Sequence, residues 1–244
     1  MDQFRPTGFR ILPPVVKNLL IINGLFFLAT MALSSRIDLA NYLGLHYPVS
    51  PWFKPHQFVT YMFMHGGFGH IFFNMFALWM FGNALENVWG PRRFLIYYMV
   101  TGIGAGLLHL VVMYFQISGL EAQLSPEMVM QIREKGNSIL MEGKNYADPA
   151  WGKLNLLYNT TTVGASGAVF GILLGFGMLF PNALIYLYFA IPIKAKYFVI
   201  GYGALELFFG FQNNPGDNIA HFAHLGGMLF GFLLIRLWKK RRIH

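Results

Sequence analysis

The chain has 244 residues, of which 55% are hydrophobic, 17% aromatic and only 11% charged, with a mean hydropathy of +0.47. Soluble globular domains carry about 25% charged residues, so this composition excludes a disordered chain, a nucleic-acid-binding module and a simple soluble enzyme. The net charge of +8 fits a membrane protein, in which Lys and Arg collect in cytoplasmic loops and tails. The lack of cysteine excludes disulfides and thiolate metal sites.

Six apolar segments, separated by prolines and polar turns, predict an all-α polytopic membrane protein. Six helices of about 20 residues would occupy roughly half of the chain, so a single membrane domain over residues 1–244 accounts for its length. The stretch 183–192 is also apolar, but it is too short to cross a bilayer and predicts a hairpin. The predicted spans are residues 15–33, 69–88, 94–117, 163–180, 195–211 and 219–238.

The distribution of Lys and Arg orients these spans. Twelve lie on the side that would hold both termini, including the final run LWKKRRIH, and six lie on the other side, so both termini are predicted to be cytoplasmic. The outer loops 34–68 and 118–162 are long, and Ser125 in the second predicts the N-cap of an amphipathic surface helix. The sequence shows no organelle-targeting segment, which favours a bacterial cytoplasmic membrane over an archaeal or organellar one.

Polar side chains inside predicted spans are costly in a bilayer and therefore indicate a functional site. The second span begins with HGGFGHIFFN, the fourth with GASGAVFG and the sixth with AHFAHLGGMLFG. All three spans begin on the outer side, so His70, Asn74, Ser166 and His224 are expected at one depth, just below the outer surface. His70 and Asn74 are four residues apart and share a helix face, and Ser166 is expected about one turn into its helix.

Glycine stripes in the fourth and sixth spans predict that these two helices pack closely. Small residues every four positions let helix backbones approach each other. If the two stripes meet, the Ser166 hydroxyl and the His224 imidazole come within hydrogen-bond reach. The stripes consist of Gly167, Gly171, Gly227 and Gly231.

This set of residues suits nucleophilic catalysis. A serine hydroxyl attacks a carbonyl carbon when a neighbouring imidazole takes its proton, and the imidazole then protonates the leaving amine. His70 and Asn74 offer side-chain donors to the developing oxyanion, and the positive end of the helix lies beside Ser166. The candidate nucleophile and base are therefore Ser166 and His224.

Carboxylates that could orient His224 are scarce. Glu86 and Glu206 are assigned to the ends of their helices that lie away from His224, so a Ser–His dyad is predicted rather than a triad. The histidines could suggest a metal site, but no carboxylate or thiol completes it, so no metal or other cofactor is expected. His65 and His221 are interpreted as possible cavity-lining residues.

The three motifs, in this order and topology, resemble those of the rhomboid intramembrane serine proteases. The resemblance rests on GASG at Ser166, AHLGGMLFG at His224, and HGGFGHIFFN with its histidines and asparagine. It implies a six-helix rhomboid-like bundle with Ser166 as nucleophile and His224 as general base. It also implies an oxyanion hole formed by His70, Asn74 and the Ser166 backbone N–H, with Gly164 helping to shape it.

The resemblance further implies cleavage of transmembrane segments of other membrane proteins near the outer leaflet, without metal, cofactor or nucleic acid. One departure lies in the first outer loop, where His56 and Gln57 replace the Trp-Arg pair of many family members and leave the seating of this loop open. The alternatives are a catalytically silent relative that binds transmembrane helices, which the intact Ser and His oppose, and a small transporter, for which the sequence shows no matching halves. The sequence does not indicate an oligomeric state.

Overall fold

The computed structural model describes residues 10–187, 190–212 and 220–240. A single π-helical turn, Leu78–Gly82, joins α4 to α5, and a 3₁₀ turn, Tyr61–Phe63, follows α3. Two short strands, β1 (Leu184–Leu187) and β2 (Ile191–Lys194), pair antiparallel. The helices are α1 (Pro14–Leu33), α2 (Leu39–Leu43), α3 (Gln57–Thr60), α4 (Phe68–Ala77), α5 (Asn83–Trp89), α6 (Pro91–Glu121), α7 (Pro126–Met141), α8 (Pro149–Asn159), α9 (Ser166–Leu179), α10 (Ala195–Gln212) and α11 (His221–Lys240).

Among the described residues, four helical runs are long and apolar enough to cross a bilayer: α1, the continuous run Phe68–Trp89, α6 and α11. They match the first, second, third and sixth predicted spans to within four residues. Large apolar side chains such as Leu25, Phe73 and Phe115 are exposed on their outer faces, as expected against lipid. The chain is therefore a multi-pass membrane protein with a mostly helical fold.

The fourth and fifth predicted spans correspond to α9 and α10. The 14 residues of α9 extend for about 21 Å, shorter than a bilayer core of about 30 Å. Six spans with both termini cytoplasmic stay a prediction. The terminal residues 1–9 and 241–244, and residue 219 of the sixth predicted span, lie outside the described residues.

The start of the fourth segment differs from the sequence prediction. Helix α9 begins at Ser166 itself, whereas the prediction placed this residue about one turn into a helix starting near residue 163. Gly164 has a φ of 132°, which no α-helix allows, and its N–H donates to the carbonyl oxygen of Tyr61 at 2.9 Å. The backbone therefore enters the helix directly at Ser166.

Helices α6, α9 and α11 form the centre of the fold, and the glycine stripes explain how. A Cβ on Gly227 would lie 1.8 Å from the carbonyl oxygen of Gly167, so α9 and α11 meet there backbone to backbone, as predicted. Gly171 and Gly231, one turn further along the two stripes, pack against α6 instead. The Tyr97 hydroxyl donates to the carbonyl oxygen of Gly171 at 2.7 Å and would lie 2.4 Å from a Cβ on Gly231.

The first outer loop holds the segment that leads into α9. Leu45 and Thr162 form an isolated antiparallel bridge, with both N–H···O distances at 2.9 Å. Gln57 is fully buried inside the loop, where its amide donates to the Trp52 carbonyl at 2.9 Å and its Oε1 accepts the backbone N–H of His46 at 3.3 Å. Gln57 therefore fixes the conformation of this loop at one of the two positions where the sequence departs from the Trp-Arg pair.

The loop 118–162 and the stretch 183–192 each contain a predicted element. Ser125 caps α7 by accepting the backbone N–H of Met128 at 3.4 Å, as predicted, while α8 was not foreseen. Arg133 of α7 pairs with Glu121 at 2.6 Å and so ties α7 to the end of α6. Strands β1 and β2 form the hairpin predicted for residues 183–192, except that residues 188 and 189 of its turn lie outside the described residues.

Candidate active site

Ser166 lies at the N-terminus of α9, two residues after Gly164. No residue type other than glycine fits at position 164. The first N–H groups of a helix have no intrahelical acceptor, so the positive end of α9 is available next to the hydroxyl. Besides its positive φ, Gly164 has the His70 ring against it: an added Cβ would lie 2.8 Å from His70 Nε2 and 3.5 Å from Ser166 Oγ. Ser166, Gly164 and His70 are thus adjacent, as predicted.

The serine is hydrogen-bonded to the predicted histidine. Ser166 Oγ lies 2.8 Å from His224 Nε2, the length expected of a good hydrogen bond. The imidazole stacks face to face on Phe170, with ring centroids 4.1 Å apart and planes at 5°, and Phe170 in turn stacks on Tyr202. Sequence reasoning missed Phe170, although its position one turn after Ser166 on α9 places it on the same helix face.

A carboxylate does reach His224, so the expectation that none would is wrong. Glu206 Oε2 lies 2.9 Å from His224 Nδ1 and 2.6 Å from His221 Nδ1. All three side chains are buried. The error came from assigning Glu206 to the wrong end of its helix. Glu206 lies six residues, about 9 Å, before Gln212 and is therefore nearer to that end of α10 than to Ala195, and its side chain reaches His224.

His70 and Asn74 occupy one face of α4, as predicted. Asn74 donates one amide hydrogen to the carbonyl oxygen of His70 at 2.8 Å, which leaves its second amide hydrogen to serve another acceptor. His70 Nδ1 accepts the backbone N–H of Gly66 at 3.4 Å, so its Nε2, next to Gly164, carries the ring proton. This histidine therefore presents a donor on the side that faces Ser166.

His65 packs edge-on against His70, with ring centroids 5.1 Å apart. Both of its ring nitrogens are buried. Burial lowers the pKa of His65 to about 4, so this ring is neutral at pH 7. Its interpretation as a cavity-lining residue stays a prediction, whereas His221 lies within the active-site cluster through its bond to Glu206.

The family model for the rhomboid domain matches residues 53–120 and 135–241, more than half of the chain. The chain belongs to the rhomboid family. Its Ser166, His224, His70 and Asn74 all lie within the matched residues.

Individual relatives are found in bacteria and in organelles. The RHOMBOID-like protein 12, mitochondrial, of Arabidopsis thaliana is 32% identical over 175 residues, which cover 70% of this chain and 43% of that protein. The rhomboid protease AarA of Providencia stuartii is 28% identical over 179 residues, 71% of this chain and 52% of that protein. The putative rhomboid protease YdcA of Bacillus subtilis is 27% identical over 188 residues, 76% of this chain and 70% of that protein. The matched region is thus about half the length of the first two relatives.

In this rhomboid protein the protonation of the histidines follows from their partners. An ionised carboxylate only accepts hydrogen bonds, so Glu206 receives the Nδ1–H of both His221 and His224. With His224 as the neutral tautomer that carries its proton on Nδ1, Nε2 accepts the hydroxyl hydrogen of Ser166. This tautomer is the one that a general base for Ser166 requires.

Within the part of the chain that the structure describes, Glu206, His221 and His224 form the group that could hold a metal. The candidate ligand atoms of Glu206, His221 and His224 lie within 4.8 Å of one another, so a carboxylate does complete the histidine set that the sequence seemed to leave incomplete. Zinc requires deprotonated nitrogens at about 2.0–2.1 Å. The contacts of 2.6 and 2.9 Å are hydrogen-bond lengths, and one proton on each Nδ1 accounts for them.

Proposed function

We propose that this chain is an intramembrane serine endopeptidase that cleaves transmembrane segments of other membrane proteins near the outer leaflet, with Ser166 and His224 as its catalytic residues. The observation that carries the proposal is the 2.8 Å hydrogen bond between Ser166 Oγ and His224 Nε2 at the N-terminus of α9. Membership of the rhomboid family supports it, and two of the three relatives described above bear the name of protease or putative protease.

The reaction follows from the positions of these atoms. Ser166 Oγ bonds to the carbonyl carbon of the substrate while its proton passes to His224 Nε2. The tetrahedral intermediate collapses as the C–N bond breaks, and His224 gives the proton to the leaving amine. A water molecule, deprotonated by the same nitrogen, then hydrolyses the acyl-enzyme and restores Ser166. No bond change requires a cofactor.

The oxyanion of the intermediate would lie between α4 and the start of α9. The donors assigned to it are the Nε2–H of His70, the second amide hydrogen of Asn74 and the backbone N–H of Ser166. Gly164 contributes by having no side chain, since a Cβ there would collide with the His70 ring. Removing one such donor costs on the order of 10²–10³ in kcat.

The proposed substrates follow from where the site lies. Ser166 begins α9, which is shorter than the bilayer core and lies in a bundle with an apolar exposed surface, so its first residue would lie below the membrane surface, and a peptide bond reaching it would come from within the membrane. The proposal includes six spans with cytoplasmic termini and a bacterial cytoplasmic membrane. Cell fractionation tests the second point, because the relatives come from bacteria and from mitochondria.

The test reconstitutes the full chain in liposomes with single-span reporter proteins. Wild-type protein should release two fragments of the reporter, and Ser166→Ala and His224→Ala should release none while keeping the wild-type thermal midpoint. Ser138→Ala, an exposed serine on α7, is the matched control and should cleave at the wild-type rate. Undiminished cleavage by Ser166→Ala would refute the proposal. Binding of the reporter by a wild-type protein that never cleaves it would favour the catalytically silent alternative.

A further inference from the structure

Glu206 lies on a helix that carries neither the proposed nucleophile nor the proposed base, yet it contacts the base directly. Its Oε2 accepts from the nitrogen of His224 opposite the one that faces Ser166. We propose that Glu206 is a positioning residue for His224, and that His221 holds Glu206 in place. This inference rests on the proposed protease function and adds a third residue to the predicted dyad.

The first argument concerns the orientation of the His224 ring. Stacking on Phe170 fixes the plane of the imidazole, but a half-turn of the ring about its Cβ–Cγ bond keeps that plane and exchanges the nitrogen and carbon edges. Only a directional contact distinguishes the two orientations. The hydrogen bond from Nδ1–H to Glu206 supplies it, and it thereby keeps Nε2 on Ser166.

The second argument concerns charge. When His224 takes the serine proton it becomes a cation in a buried site, where an isolated charge is costly. The Glu206 carboxylate at 2.9 Å offsets that charge. The state with a neutral His224 beside the Glu206 carboxylate and the ion pair differ by one proton that has come from Ser166, so the carboxylate favours the state in which the serine is activated.

The third argument concerns the carboxylate itself. A buried carboxylate needs donors to remain ionised, and His221 Nδ1 lies at 2.6 Å from the same oxygen as His224. His221 opens α11 and is fixed by that helix. His221 therefore holds the carboxylate independently of His224, the residue that transfers the proton, and keeps the carboxylate in place throughout the reaction.

Two other roles for this cluster predict different behaviour. A brace between α10 and α11 would affect stability and leave the proton equilibrium of His224 unchanged. A metal site would make the protein sensitive to chelators. The pH dependence of the reaction rate separates a brace from a positioning residue. The titratable groups that face the cluster are Glu206 and Tyr202 on α10, His221 on α11, His70 on α4 and His109 on α6.

The first experiment measures the rate of labelling by a fluorophosphonate from pH 5 to 9 on the full chain in detergent. In this reaction the Ser166 Oγ–P bond forms, the P–F bond breaks as fluoride leaves, and the hydroxyl proton goes to His224. Glu206→Gln should label 10²- to 10⁴-fold more slowly, and the acidic limb of its pH profile should move down by about one unit or more. Glu206→Asp should recover part of the rate. Glu134→Gln, on the exposed helix α7, is the control.

Each outcome decides a separate point. A Glu206→Gln protein with the wild-type rate and pH profile would overturn the proposal, and so would a slower rate with an unshifted profile and a lowered thermal midpoint. Loss or gain of wild-type labelling on adding EDTA would overturn it in favour of a metal. If Glu206→Gln does not fold, ¹⁵N NMR of histidine-labelled wild type decides: Nδ1 of His224 should be protonated and Nε2 bare, and the opposite tautomer would refute the inference. Absence of any wild-type labelling would instead count against the protease proposal.

Discussion

Gly227→Ala should separate the two residues of the proposed active site without touching either. The added Cβ would lie 1.8 Å from the Gly167 carbonyl oxygen, whereas Cβ atoms do not approach heavy atoms closer than about 3.0 Å. The atom it meets belongs to a rigid helix backbone, so α9 and α11 must move apart locally by at least about 1.2 Å. Gly167 adjoins Ser166, and His224 is one turn from Gly227.

The same displacement would lengthen the hydrogen bond between Ser166 Oγ and His224 Nε2 from 2.8 Å to about 4 Å, beyond hydrogen-bonding range. A misplacement of about 1 Å costs on the order of 10²-fold in rate, and overpacking of this kind costs about 1–3 kcal/mol of stability. We therefore expect fluorophosphonate labelling of Gly227→Ala to fall by about 10²-fold or more and its free energy of unfolding to fall by about that amount.

The assay compares labelling rates and thermal midpoints of three proteins in one detergent. Gly201→Ala is the control, because no atom lies within 4 Å of a Cβ at that exposed position of α10. It should label normally and be as stable as wild type or slightly more so, since alanine favours helix over glycine. If Gly227→Ala labels at the wild-type rate with an unchanged midpoint, the close contact between α9 and α11 does not position the site.

Three further predictions concern other parts of the molecule. Asn74→Ala should reduce the cleavage rate by about 10²-fold with little change in thermal midpoint, because one oxyanion donor is lost; kcat measured on a single-span reporter checks this, and an unchanged kcat would remove Asn74 from the oxyanion hole. Gln57→Ala should lower the free energy of unfolding by about 1–3 kcal/mol, because the buried backbone N–H of His46 and the half-buried one of Lys54 lose their acceptor, and chemical unfolding in detergent measures it. The buried neutral ring of His65 should make the protein less stable in acid. In the unfolded chain this histidine takes up a proton below about pH 6.5, whereas in the folded protein it does so only near pH 4. The free energy of unfolding therefore falls by up to about 3 kcal/mol as the pH is lowered through that window. The thermal midpoint of His65→Asn should therefore depend less on pH between 6.5 and 4 than that of wild type, and equal slopes would refute the buried neutral ring.

Apolar periodicity predicted the long helices well, because length and hydropathy are properties of the local sequence. The sequence also predicted that Ser166 and His224 would meet, because the glycine spacing brings their two helices together and each residue lies near the start of its span. The exact start of α9 could not be predicted in this way. It depends on Gly164, whose φ is set by the Tyr61 carbonyl and the His70 ring, both distant in sequence.

The two buried glutamates show where sequence reasoning stops. Glu86 and Glu206 are each a lone acid in an apolar segment, and the sequence indicates for both only that a partner must exist. In the structure Glu86 accepts the backbone N–H groups of Val15 and Val16 at 2.9 and 2.8 Å and caps α1. Glu206 contacts two histidines instead. Which partner each acid finds depends on the rotation of its helix about the axis, and a one-residue difference amounts to about 100°.

The most direct test of the account is the reaction of detergent-solubilised wild-type protein with a fluorophosphonate, followed by mapping of the modified residue by mass spectrometry. The account predicts a single adduct on Ser166 that is absent from His224→Ala, in which the hydroxyl has lost its base. An unlabelled wild-type protein that remains folded, or an adduct that persists at the same rate in His224→Ala, would contradict it.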